Sequence, residues 1–300
     1  MQSLKVKVFT CFLSFVMAFS LIPAFQSNAD RIDSVSVGAN VTATLSGGTL
    51  TVKGTGAMKN FQYDTKKNYT DIPWYSQKDN IKKVVFENGV TTVGNYSFIG
   101  CTNLKEIVWP TNGSMKTIGY GAFASCSMLS SVTFPNGLVT IGTYAFDNDS
   151  ALTTISLPKS LRRINNCAFM HCTHLTRVAI PSRVTVIGNY AFYGCYDIAS
   201  VTGGAGLVSI GRQAFMHCWG LKKFSIGSKK LKKIGVGAFA CDSRLRTIFI
   251  KKTTKLTKKG VKGSLYLSSV KTVKVKKSKV RKYKKIFRRG NSGKSVKVKK

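Results

Sequence analysis

The chain has 300 residues, 43% of them hydrophobic, with 47 Lys and Arg against 11 Asp and Glu and a formal net charge of +36. That length suits one elongated domain or two compact ones. Carboxylates this scarce, three histidines, and no Gly-x-Ser-x-Gly, His-Glu-x-x-His or phosphate-cradling glycine loop leave no enzyme class supported.

Lys5 and Lys7 precede an apolar run from Val8 to Phe25, and Ser27-Asn28-Ala29 sets small residues at a cleavage site. Residues 1–29 therefore read as a secretory signal, and the mature chain is expected to be exported without a membrane span. Residues 30–80 read as a β-rich N-terminal cap. Val41 to Leu45 and Thr49 to Lys53 flank Gly47-Gly48 as a hairpin would, and Asp71-Ile72-Pro73-Trp74 looks like a helix start capped by Asp71.

Residues 81–275 carry the strongest signal. Ile-Gly-x-x-Ala-Phe, usually followed by Cys, and then Leu-x-x-Val-x-Ile recur around Phe98, Phe123, Phe146, Phe169, Phe192, Phe215 and Phe239, spaced by 25, 23, 23, 23, 23 and 24 residues. A period of this length predicts an α/β repeat solenoid, because no single repeat buries enough apolar surface to stand alone. Each Leu-x-x-Val-x-Ile segment is expected to be a strand of a parallel sheet on one face. The Ile-Gly-x-x-Ala-Phe segment is expected to return along the other face as a short helix or turn. Two departures stand out: Asn165 where Gly is expected, and Gly203-Gly204 where the sixth strand, counted from Ile81, should weaken or bend.

Residues 276–300 form a basic cap or tail. Val270, Val273 and Val275 repeat the strand spacing, Ser278 and Gly290 bracket a helix with Val280, Tyr283, Ile286 and Phe287 on one stripe, and Val296 and Val298 suggest a last strand. Between Lys222 and Lys300 lie 29 of the 47 basic residues and one acid, Asp242.

The pattern Leu-x-x-Val-x-Ile-Pro…Ile-Gly-x-x-Ala-Phe-x-x-Cys-x-x-Leu resembles the BspA-type leucine-rich repeat family, over roughly Ile81 to Val275. The resemblance implies a leucine-rich-repeat solenoid and a bacterial surface or secreted protein, often one for adhesion or host contact. It implies no defined ligand site.

A solenoid makes its outward strand positions the first candidate binding face. These include Ser131, Thr133, Thr154, Ser156, Arg177, Ser200, Thr202, Lys223, Ser225 and Phe249. A small, hydroxylated strip of this kind offers hydrogen bonds to a protein or glycan, and its bland alternative is a solvated sheet face. The basic end is the second candidate, for anionic polymers or an envelope surface: Lys276, Lys277, Lys279, Arg281, Lys282, Lys284, Lys285, Arg288 and Arg289. No motif supports base-specific nucleic-acid recognition. A row of Tyr96, Tyr120, Tyr144 and Tyr190 reads as packing.

No metal or other cofactor is expected. His171 and His217 fall at equivalent repeat positions near 10 Å apart, about two strand spacings. Asp147-Asn148-Asp149 lacks the later Glu and the Gly of a calcium loop. Cys101, Cys126, Cys172, Cys195 and Cys218 each lie three residues after the repeat Phe, with Asp149 in that place in the third repeat and Cys241 two after its Phe. They are expected to be buried thiols, because stacked side chains point the same way and bridging them needs backbone movement.

Overall fold

The structure is a computed structural model that describes residues 31–64, 69–252, 254–288, 293 and 295–300. The segment read as a signal, residues 1–29, lies outside the described residues.

The chain winds into a β-solenoid of stacked parallel strands. Strands β1 (Ile32–Gly38), β2 (Val41–Ser46) and β3 (Thr49–Gly54) form an antiparallel meander. β2 and β3 turn at Gly47 and Gly48, whose φ values of 55° and 75° are what a two-residue hairpin of primed type requires. β3 then pairs in parallel with Lys83–Phe86, Leu50 beside Val84, so the meander continues straight into the first coil. The front row of strands runs on to Lys297–Lys299. Its pairing falls into a five-stranded, a two-stranded and a six-stranded piece.

The opposite face departs from the α/β expectation. Two-residue strands such as Thr117–Ile118, Thr140–Ile141 and Arg163–Ile164 build one continuous eight-stranded back row, and turns follow each of them. No described residue of the repeats is α-helical. The physical reason is where the backbone N–H groups go. Phe98, Phe123, Phe146, Phe169 and Phe192 donate to Ala122, Ala145, Ala168, Ala191 and Ala214 of the following coil at 2.8–2.9 Å, which leaves no i to i−4 bonds for a helix. The glycine of Ile-Gly is fixed by the same stacking. A Cβ on Gly142 would sit 2.4 Å from the Gly119 carbonyl oxygen, and one on Gly188 would sit 2.5 Å from Asn166 nitrogen.

One core runs the length of the molecule, from Val37 to Val298. Its axis is the seven repeat phenylalanines, all fully buried, with ring centroids 5.0–6.0 Å apart and planes within 13° of parallel. Each such pair adds roughly 0.5–1.5 kcal/mol beyond area burial. Trp74 ends the column, 5.6 Å from Phe98 and 17° from its plane, while its indole N–H donates to the Ser97 carbonyl at 2.8 Å. The segment around it is a 3-10 turn, Tyr75–Asn80, without a side-chain cap. Asp71 does not cap it, because its Oδ1 accepts from the Gln62 N–H at 2.6 Å.

At the other end an eighth, degenerate coil follows. Gly237 and Cys241 donate to the carbonyls of Gly263 and Leu267, which sets Leu265 in the phenylalanine place. Helix α1 (Val280–Ile286) buries Tyr283 and Ile286, and Phe287 just beyond it is also buried. Gly290 lies outside the described residues. The Tyr283 hydroxyl accepts from the Thr254 N–H at 2.9 Å. Val298 is buried in the last strand, which pairs with Thr272–Val275. Gly203-Gly204 causes no break: Ile180, Gly203 and Ile226 stand in unbroken register, with φ of 94° and 63° at the two glycines.

Candidate binding surface

Along the front row, alternation sends Val132, Val178, Val201, Phe224 and Ile248 inward and their neighbours outward. Ser131, Thr133, Thr154, Ser156, Arg177 and Lys223 are exposed, and Ser200, Thr202 and Phe249 are half-buried. Ser225 does not belong to the open strip. It is only 3% exposed, beside its register partner Phe249, and its hydroxyl has no hydrogen-bond partner among the described residues. A bulky ring next to a small hydroxyl covers it, which a pattern of alternate residues does not reveal.

The register joins the two candidate regions. Thr202, Ser225, Phe249, Lys274 and Lys299 stand side by side on successive strands. Thr272 likewise pairs with Lys297. The hydroxyl strip therefore runs into a lysine face, with the Lys274 ammonium 5.7 Å from the centre of the Phe249 ring. Lys274, Lys297 and Lys299 belong to this face and were missed in the sequence. Their signal was present, since they occupy the outward places of the final Val-x-Val strands.

The structure distributes the predicted basic residues over three places. Lys276 meets Lys251, Lys274 and Lys300 around a hollow of about 470 Å³ beside Phe249. Lys284 and Arg288 lie with Lys297 and Lys299 at the end of the solenoid. Arg281, Lys282 and Lys285 surround Leu256 and Ile286. Lys277 is exposed and Lys279 half-buried, before α1. Arg289 lies outside the described residues. Asp242, the one acid of this region, is fully buried, and burial holds its carboxyl well above the usual range. It is enclosed in the core and presents no carboxylate to the lysine face.

Asp242 also corrects the reading of the cysteine column. It lies three residues after Phe239, so it and Asp149 take the cysteine place, and Cys241 does not. In both coils the carboxyl Oδ1 accepts the N–H of the preceding coil's cysteine, Cys126 to Asp149 at 2.8 Å and Cys218 to Asp242 at 2.9 Å. The thiols of Cys126, Cys172, Cys195 and Cys218 each donate to the carbonyl of an earlier phenylalanine at 3.0–3.3 Å. All seven described cysteines are free, and all but Cys241 are buried. Burial pushes the Cys101 thiol up to about 12.

Tyr96 packs against Tyr120 and Tyr120 against Tyr144, at 5.2 and 5.4 Å, whereas Tyr190 packs on Tyr193. Cys167 takes the tyrosine's place in the coil between. A hydrogen bond with that cysteine raises the Tyr144 hydroxyl to about 12. His171 and His217 occupy left-handed corners with φ of 58° and 62°, and Tyr193 lies between them in edge contact with both rings. Among the described residues no group of three or more His, Cys, Asp or Glu is placed to hold a metal. No helix of the described residues is long and apolar enough to cross a membrane.

The model of the BspA type leucine rich repeat region matches residues 71–199 and 162–292, in six copies. This chain belongs to that family. The geometry agrees, since the matched span is the run of coils stacked on the phenylalanine column. A leucine-rich repeat protein from Bacteroides ovatus shares the fold, with a TM-score of 0.51 at 18% identity over 88% of this chain and 76% of that one. A leucine-rich repeat protein of T. pallidum aligns with a TM-score of 0.46 at 24% identity over 58% of this chain and 83% of that chain. No protein of curated function matches the chain. The BspA-type repeat is a scaffold.

Proposed function

We propose that this BspA-type protein is an exported recognition protein whose outward strand face holds an extended acidic glycan or envelope polymer. The observation that carries the reading is the register of the front row, in which hydroxyl positions from Ser131 onward lead into Lys274, Lys297 and Lys299. Hydroxyls bond sugar oxygens, and lysines supply the field that draws in and retains the anion. Lys5, Lys7 and the apolar run after them support export, and family membership supports a place at the cell surface.

A rival reading assigns all binding to the basic end, with the solenoid as its support. It is favoured by Asp242, which is enclosed in the core and leaves that end without a side-chain carboxylate at its surface. Truncating residues 276–300 would strip the buried Tyr283, Ile286, Phe287 and Val298 from the end of the core, so substitution is the clean test. Binding of polygalacturonate is compared in K274Q/K297Q/K299Q and in R177A/S200A/T202A. Loss in both variants supports the joined face. Loss in the lysine variant alone selects the rival, and loss in neither contradicts both.

A further inference from the structure

Where the chain turns into the front strands, the position four residues after the repeat Phe is small or hydroxylated in most coils: Thr102, Ser127, Ser150, Thr173 and Ser243. In two adjacent coils it is Tyr196 and Trp219. Their rings lie face to face, 4.3 Å between centroids and 5° from parallel, the tightest stack in the described molecule. Trp219 nonetheless remains 47% exposed. Tyr196 covers one face of the indole. The opposite face looks along the solenoid toward the next coil, where Ser243 is too small to continue the stack.

A hollow of about 490 Å³ opens there, lined by Tyr196 and Asp197 of one coil, Trp219 and Gly220 of the next, and Cys241, Ser243 and Arg244 of the third. Asp197, Gly220 and Arg244 are the same repeat position in three successive coils. Gly220 brings no side chain, since a Cβ there would meet the Tyr196 carbonyl oxygen at 2.9 Å. The floor is therefore open between a carboxylate and a guanidinium two coils apart.

We infer that this hollow is a carbohydrate subsite in which the free face of Trp219 stacks on a hexopyranose ring. An aromatic face partly out of water matches the ring's C–H face, and Asp197, Ser243 and Arg244 offer acceptors and donors to its hydroxyls. A nonpolar ligand would leave those polar groups without partners, and a polyanion would face Asp197. The chemistry thus selects an uncharged sugar. The subsite lies on the corner before the strands, away from the lysine face, so it goes beyond the acidic-polymer reading and can fail without it.

The test uses the full chain and three neutral hexasaccharides, of β-1,4-linked glucose, galactose and N-acetylglucosamine, at about 0.5 M NaCl to screen the lysine end. Trp fluorescence should change saturably with at least one of them, and the sugar should slow maleimide labelling of Cys241, the one described thiol that is not buried. Trp219→Ala should weaken binding at least tenfold, and Trp219→Phe should keep part of it. Ser243→Trp, which fills the free face without removing a ring, should block it while leaving the circular dichroism unchanged. No saturable change with any of the three, or sugar binding in Ser243→Trp equal to the parent's, overturns the subsite. A response to p-cresol with none to sugar would also overturn it, by showing that the occupant is a protein aromatic side chain. K274Q/K297Q/K299Q should retain the sugar response in full.

Discussion

Outward positions of the front row are used in opposite ways at its two ends. Near the start, Lys83 stands beside Glu106 on the next strand, and the two side chains meet at 3.0 Å. Near the finish, Lys274 stands beside Lys299 and Thr272 beside Lys297. The interior is common to both ends: a phenylalanine column, an aliphatic front row and a continuous back row. Charge at the first end ties neighbouring coils together. Charge at the second places like side chains about 4.8 Å apart, which costs stability. The N-terminal pairs thus serve the fold, whereas the lysine face does not, which is what the proposed anion-binding role requires of it.

The most demanding test of that contrast concerns the shared interior. Phe123→Ala and Phe215→Ala should each cost about 3–5 kcal/mol in denaturant unfolding, because each removes a fully buried ring from the middle of the stack. Similar losses at both places would confirm a common interior. A loss at one place alone would mean that the ends differ inside as well as outside.

A smaller effect separates Asp242 from its surroundings. Burial raises its pKa in the folded state above the ordinary carboxylate range, so the folded state holds a proton that the unfolded chain gives up first. Its contribution to stability is full below about 4 and is lost as pH rises toward the folded pKa. Asp242→Asn keeps the acceptor for the Cys218 N–H and has no proton to lose. It should therefore be more stable than the parent near neutral pH, by at least about 1 kcal/mol, with a flatter stability profile above pH 4. Asp149→Asn should behave likewise, since burial raises Asp149 in the same way. An unchanged pH profile would show that these carboxyls are charged in the fold.

The smallest effect is at the surface pairs themselves. Lys299→Glu should stabilise the C-terminal end and Glu106→Lys should destabilise the first coils, each by roughly 0.2–1 kcal/mol at low salt and less at high salt. Opposite signs in the two variants sharpen the comparison, and equal signs break it.

The solenoid itself was legible in the sequence because its period is set by residues that stacking forces to repeat. The Phe, the glycine of Ile-Gly (Asn165 in one coil) and the apolar places of the Leu-x-x-Val-x-Ile strand are each restricted by a neighbour's backbone or ring. The back row was not legible as strand. Two residues of Thr-Ile or Val-Ile are too short for alternation to show, and only the inter-coil hydrogen bonds reveal that the turns cannot be helical. The place of Asp242 in the column is legible in its offset of three from Phe239, but Cys241 beside it carries the usual residue type at an offset of two. Ser225 was missed as buried because its cover is a ring on another coil. The lysine strip was half legible: its charge was evident, but the line that joins Phe249, Lys274 and Lys299 exists only through register. The Tyr196–Trp219 pair had a signal as well, two aromatics 23 residues apart at one repeat position, which the search for longer ladders passed over.

The salt dependence of polygalacturonate binding by the full chain tests the central claim most directly. If Lys274, Lys297 and Lys299 contact the anion, affinity should fall steeply between about 50 and 200 mM salt, and K274Q/K297Q/K299Q should lower the log–log slope by about 3, one for each lysine removed. A slope unchanged by the triple substitution, or binding indifferent to salt, would contradict the account of the lysine face as the anion-binding end of the strand surface.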